Sequence, residues 1–202
     1  ITKWGKSIDL NLRFAPLVDT EGNLLHLQIL IEDITARKQA ELALQESQGR
    51  YRALFEDSPI SIWEEDFSEI KKSMDVLKNQ GVTDFRAYFT THPDAVAEYS
   101  NKIKVLDVNS ATLRMYRASS KEKLIENTVQ SICAGEIEHN FEDFLAIAEG
   151  RTSNSWDGGD ETMDGDALQI NLNWSVVPGY EQDFSKVIVT TVDITERKQA
   201  EE

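Results

Sequence analysis

Gly158, Gly159, Asp160 and Glu161 form a run in which bare backbone stands beside carboxylates. Glycines let a backbone approach a nucleotide phosphate, and neighbouring acids can hold the accompanying metal. Asp157, Asp164 and Asp166 flank the run, so a hard cation is the second chemistry to test. Counted as an EF-hand loop from Asp160, position 3 is Thr162 and position 12 is Asn171 instead of Glu, and a solvated acidic hairpin is the better reading. His26, His92 and His139 are the only histidines, and no G-x-S-x-G elbow, H-E-x-x-H or Walker loop accompanies them. We therefore expect no catalytic residue, no metal site and no enzyme activity in this chain.

The elements that carry these residues are legible from a repeat. Residues 5–41 return without a gap as residues 165–201: DITARKQAE becomes DITERKQAE, and Gly5, Asn11, Leu12 and Glu21 recur as Gly165, Asn171, Leu172 and Glu181. Repetition at this period indicates serial domains. In each copy an alternating segment (8–14; 168–176) reads as a half-buried strand. A turn follows (19–23; 178–183), then a second apolar run (24–31; 187–192), then a helix opened by Thr35 or Thr195. Threonine is expected to cap the first-turn amides, and Asp33 or Asp193 adds charge at the positive end of the helix.

Two antiparallel strands ending in D-I-T-x-R-K-x-A-E and running into a charged helix resemble the C-terminal end of a PAS domain, a sensory module of bacterial signalling proteins. KVLDVNSATLRMY (104–116), with Asn109, is similar to that family's second strand and short helix, and SKEKLIENT (120–128) to its next helix. The resemblance implies an α+β fold: a five-stranded antiparallel sheet with helices on one face. Residues 1–35 would be the C-terminal strands of a preceding PAS domain, 36–57 a linker helix, 58–196 a complete PAS domain, and 197–202 the start of the next signalling helix.

Departures from the family pattern are informative. The first two strands, 60–65 and 103–108, are separated by an insert (65–102) where a tight turn is usual. Phe67, Ile70, Met74 and Leu77 share one helical face, and Phe85, Tyr88, Phe89, Val96 and Tyr99 suggest two shorter helices, so the insert reads as a helical cap near one sheet edge. Cys133 sits in SICAGE, which lacks the N-C-R-F-L-Q motif of flavin-binding relatives, and His139 stands alone where other relatives hold haem. The resemblance thus points to neither cofactor, and the ligand stays unassigned. The Gly158–Glu161 tetrapeptide imitates the diguanylate cyclase signature, but Thr162 replaces its aromatic letter and the segment falls within the PAS pattern.

Composition agrees. With 36 acidic against 21 basic residues the net charge is −15, which argues against nucleic acid and anionic membranes. One cysteine excludes an intrachain disulfide, as is usual for a reduced compartment. No apolar run nears the ~20 residues that span a bilayer. We read the chain as cytoplasmic, a reading compatible with a membrane anchor elsewhere in the parent protein.

Ala40, Leu44, Ser47, Tyr51 and Leu54 recur at coiled-coil spacing, which predicts a parallel homodimer through the linker helices and the sheet. The hairpin over 5–32 has an apolar face and no helices of its own, so it is expected to pair with a second chain. Ser119 and Glu122 suggest a capping box, and Ile137, Phe141, Phe144, Leu145 and Ala148 an apolar helix face closing at Gly150. A third strand is expected at 152–162, turning at Asp164-Gly165.

Within a PAS fold the pocket candidates are Trp63, Arg114, Tyr116, Phe144, Trp156, Leu172 and Trp174. The relay candidates are Asp33, Ile34, Thr35, Asp193, Ile194, Thr195 and Arg197. Two functions follow: a sensor that binds a small molecule in its core and signals through D-I-T, or a ligandless module that dimerises and relays. Partners would be adjacent PAS domains and an effector of the same polypeptide, a histidine kinase or a diguanylate cyclase.

Overall fold

The structure, a computed structural model, describes residue 5, residues 7–132 and residues 137–201, the side chains of 127–132 and 137–140 excepted. The chain divides into two compact units, Ile1–Ala53 and Leu54–Glu202.

In the first unit β1 (Leu10–Val18) and β2 (Leu24–Asp33) form an antiparallel pair. Its turn is held by Asp19, whose Oδ1 accepts the amides of Glu21 at 2.9 Å and Asn23 at 2.8 Å. Gly22 supplies the left-handed step at φ +88°. Partners Leu12 and Ile31, Phe14 and Ile29, and Pro16 and Leu27 share one face. Those side chains are exposed, Phe14 and Ile31 each by 60%. Helix α1 (Thr35–Glu56) starts here and ends within the second unit, just before Pro59. Leu44, Tyr51 and Leu54 of its seam are exposed.

The second unit is built on a five-stranded antiparallel sheet in the order β4-β3-β7-β6-β5. Its strands are β3 (Ser61–Asp66), β4 (Lys104–Val108), β5 (Ser153–Glu161), β6 (Ala167–Val176) and β7 (Val187–Asp193). The β6–β7 register, with Ile170 opposite Asp193 and Trp174 opposite Val189, reproduces β1–β2, where Leu10 faces Asp33 and Phe14 faces Ile29. The same sequence pattern thus folds to the same register in both units. Alternation sets the faces: Ser61, Trp63 and Glu65 on β3, and Val187, Val189 and Thr191 on β7, turn inward.

Helices α2 (Ser68–Asn79), α3 (Phe85–Thr91) and α4 (Pro93–Ser100) form the insert. Beyond β4 come α5 (Ser110–Met115), α6 (Lys121–Ile132) and α7 (Ile137–Ala148), and α8 (Thr195–Glu201) leaves β7. The insert is more than a cap at an edge. Ile70, Met74, Phe89 and Val96 are fully buried in the same core as Phe144 of α7 and Trp174 of β6. Phe67, at its entrance, meets Trp174 edge-on at 5.8 Å, and Phe89 packs on Phe144 at 6.2 Å. The α6 cap falls one residue later than the Ser119 expected: Ser120 Oγ accepts the Lys123 amide at 3.3 Å. α7 is buried all round in its last turn, from Phe144 to Ala148, because the insert and the sheet enclose it from different sides.

No helix among the described residues is long and apolar enough to cross a membrane.

Candidate signal-relay site

Each strand pair hands the chain to its helix through the same joint. Asp193 Oδ1 accepts the Thr195 amide at 2.8 Å, and Asp33 Oδ1 accepts the Thr35 amide at 2.9 Å. Threonine does not cap its own helix, as the residue type alone suggests. Thr195 Oγ1 instead accepts the backbone N–H of Gln169 at 2.9 Å, and Thr35 Oγ1 that of Asp9 at 2.8 Å. The isoleucine amides complete the latch, Ile194 to Gln169 O at 2.7 Å and Ile34 to Asp9 O at 2.9 Å. Each helix start is thereby bonded to the first arm of its hairpin, at Gln169 in β6 and at Asp9 just before β1, as well as to the second. The joints differ one turn on. Lys38 reaches Asp9 at 2.8 Å, whereas Arg197 and Lys198 reach Asp157 of β5 at 3.1 and 3.3 Å.

Four pocket candidates, Trp63, Tyr116, Phe144 and Trp174, are buried in one core, with Trp63 and Tyr116 edge to face at 5.5 Å. Trp156 and Leu172 are half-buried against it. Arg114 is the exception: its side chain faces solvent on α5, whose inward face is taken by Ala111 and Thr112, so it lines no core pocket.

Sequence reading missed the residue that gathers the tryptophans. Asp143 of α7 accepts Trp174 Nε1 at 2.7 Å, Asn154 Nδ2 at 2.8 Å and Trp156 Nε1 at 3.1 Å. A second acid faces it. Glu65 is only 9% exposed, and burial, with the negative charge of Asp143 beside it, pushes its carboxyl up to about 8. The alternation of SIWEED was the available signal, since Glu65 shares the phase of Ser61 and Trp63.

A second polar cluster joins four elements. Asn109, wholly buried, donates through Nδ2 to Phe55 O in the last turn of α1 and to Ile60 O, both at 2.9 Å. Its Oδ1 accepts the Thr112 amide at 3.0 Å, the Ile62 amide at 3.1 Å and the Thr112 hydroxyl at 2.9 Å. Thr112 Oγ1 and Ser61 Oγ lie 2.9 Å apart, and Thr191 donates to Ser61 Oγ at 2.6 Å. Beside this cluster Lys121 clamps Glu56 at 2.8 Å and Asp107 at 2.7 Å.

The acidic residues singled out for chemistry are placed apart. Gly158, Gly159, Asp160 and Glu161 are the last four residues of β5, paired with β6, and Asp160 accepts the Tyr116 hydroxyl at 2.6 Å. Burial raises the Asp160 carboxyl above its ordinary value despite that bond. Asp164 and Asp166 pair with Arg117. No group of three or more His, Cys, Asp or Glu able to hold a metal occurs among the described residues. His92 stacks on Tyr88 at 4.4 Å at the α3–α4 junction, and His26 is exposed on β2. Cys133 and the His139 side chain lie outside the described residues. A groove of about 390 Å³ opens on the outer sheet face, along Ser155, Asn173, Ser175 and Thr190.

Comparison with known proteins agrees with this architecture. Residues 83–149 match a family model described as PAS domain. An RNA-binding light-oxygen-voltage receptor is similar at 16% identity and TM-score 0.51, over 96% of this chain and 41% of that one. A PAS domain from Colwellia psychrerythraea has 18% identity over 74% of this chain and 98% of its own, at TM-score 0.48. A domain of a sensory box sensor histidine kinase/response regulator from Geobacter sulfurreducens has 17% identity over 74% and 96%, at TM-score 0.43. No curated protein matches the sequence. The second unit therefore has the PAS fold, and part of it carries the PAS sequence pattern.

Proposed function

We propose that this chain is a PAS signal-relay module in which displacement of β7 is passed through Asp193, Ile194 and Thr195 to α8. The observation that carries this reading is the twofold occurrence of one joint, in which the same three backbone bonds recur at Thr35 and at Thr195. A helix latched to both strands of a hairpin follows any change in their register, whereas a helix on a free loop does not. Relay requires two arrangements within a few kcal/mol, so that a modest differential affinity biases them. The relevant assembly is a homodimer through α1, and the effector is a histidine kinase or a diguanylate cyclase of the same polypeptide, as the family resemblance implies.

The sensory form of this reading, with a small molecule in the core, is favoured by one feature. Glu65 and Asp143 place two carboxylates together in the core, with Trp156, Trp174 and Asn154 donating to Asp143. Native mass spectrometry of the purified chain, followed by denaturation, decides between the forms: one extra mass per chain supports sensing, and a clean apo species supports relay alone. Relay itself is tested by fusing the full chain to a histidine kinase core. Thr195→Val changes autophosphorylation if the joint transmits; unaltered output in a folded variant rejects the proposal.

A further inference from the structure

The incoming helix α1 and the outgoing helix α8 touch the domain at different places, and a buried polar chain joins those places. It runs from Phe55 O through Asn109, Thr112 and Ser61 to Thr191, two residues before the Asp193 joint. Asn109, Ser61, Thr112 and Thr191 are each at most 3% exposed. Their protons can be ordered in one direction: Thr191 donates to Ser61, Ser61 to Thr112, and Thr112 to Asn109 Oδ1. Each hydroxyl then spends its single proton once, and Asn109 spends both of its own on Phe55 O and Ile60 O.

Most of the surrounding core is apolar, and apolar contacts tolerate sliding. A hydrogen-bond chain at 2.6–2.9 Å does not, because each link holds only over a narrow range of distance; Trp63 Nε1, which donates to Ser61 Oγ at 3.2 Å, and Ile62 O, 3.1 Å from Thr112 Oγ1, brace it from the side. Four separate elements, α1, α5, β3 and β7, must therefore keep their spacing together. The two ends of the chain are also where signals would enter and leave. Glu56 beside Phe55 is clamped by Lys121, and Ser110 donates to the same carboxylate at 3.1 Å, so the end of α1 is fastened to this cluster by charge as well.

We propose that Asn109, Thr112, Ser61 and Thr191 are the positioning residues that couple the end of α1 to the D-I-T joint of α8. The proposal rests on the relay reading above and names the route inside the domain. It makes coupling reciprocal: loosening either end loosens the other.

Hydrogen exchange of the full 202-residue chain, read by mass spectrometry at residues 50–57 and 194–201, tests this. Thr191→Val is expected to speed exchange at 50–57, and Asn109→Ala at 194–201, each by roughly threefold or more. Thr191→Ser, which keeps the hydroxyl, restores wild-type exchange at 50–57. Ile70→Val, a core change off the chain, leaves the ratio of the two segments unaltered. In a double-mutant cycle Asn109→Ala and Thr191→Val are less than additive. Effects confined to each variant's own segment, or full additivity, would overturn the coupling. If Asn109→Ala does not fold, Ser61→Ala replaces it in the cycle. The kinase fusion separates the two failures: Thr195→Val altering output while exchange stays uncoupled rejects this route and leaves the relay reading standing.

Discussion

Trp174 Nε1 donates to Asp143 Oδ1 at 2.7 Å, joining strand β6 to helix α7 across the core. The bond is charge-assisted and sits among rings, and its loss leaves Asp143 Oδ1 with one donor fewer beside Asn154 Nδ2. Trp174→Phe keeps most of the ring volume and removes the N–H. Urea denaturation should show a loss of about 2–3 kcal/mol. Trp156→Phe, whose bond is 3.1 Å long on a half-buried ring, should cost less. Equal costs would mean that ring packing, rather than Asp143, sets the stability here.

Glu65 predicts a pH dependence with a definite sign. Its carboxyl is raised from 4.5 to about 8 by burial and by Asp143. Between these values the unfolded chain releases a proton that the folded chain keeps, so stability falls as pH rises through the window and the loss is complete above about 8. The loss is on the order of 5 kcal/mol at most. Glu65→Gln should flatten that part of the profile and make the protein more stable than wild type at alkaline pH. Parallel profiles for the two proteins would show that Glu65 does not titrate in this range.

The joint threonines make a paired prediction. Thr195→Val removes the acceptor of the Gln169 amide and should cost about 1 kcal/mol, with faster exchange at Gln169 and at Lys198. Thr35→Val should do the same to Asp9 and Lys38 in the first unit. Unchanged exchange at Gln169 in Thr195→Val would mean that the Ile194 amide bond suffices to hold the joint.

Exposure along α1 bears on assembly. Leu44 is 59% exposed and Leu54 71% exposed, on a helix that carries a seam at coiled-coil spacing. Light scattering is expected to give a dimer for wild type and a monomer for Leu44→Glu combined with Leu54→Glu. A dimer that survives both changes would place the interface elsewhere.

Sequence alone determined the strands, the helices and the repeat. Their signals are local: alternation at period two, spacing at three and four, glycine at the turn, and a D-I-T tripeptide met twice. It also offered Trp63, Phe144 and Trp174 as pocket candidates, and all three are buried in the core. Tertiary structure decided which groups meet. Asp143 gathers tryptophans from β5 and β6, Glu65 ends up against Asp143, and Ser61 bonds Thr191 across 130 residues of chain. No periodicity encodes such pairs, because they depend on strand order and on which turn of a helix faces the sheet. The same limit explains Arg114 and the threonines. Whether a side chain turns to solvent, caps its own helix or latches a neighbouring strand is settled by the elements packed beside it.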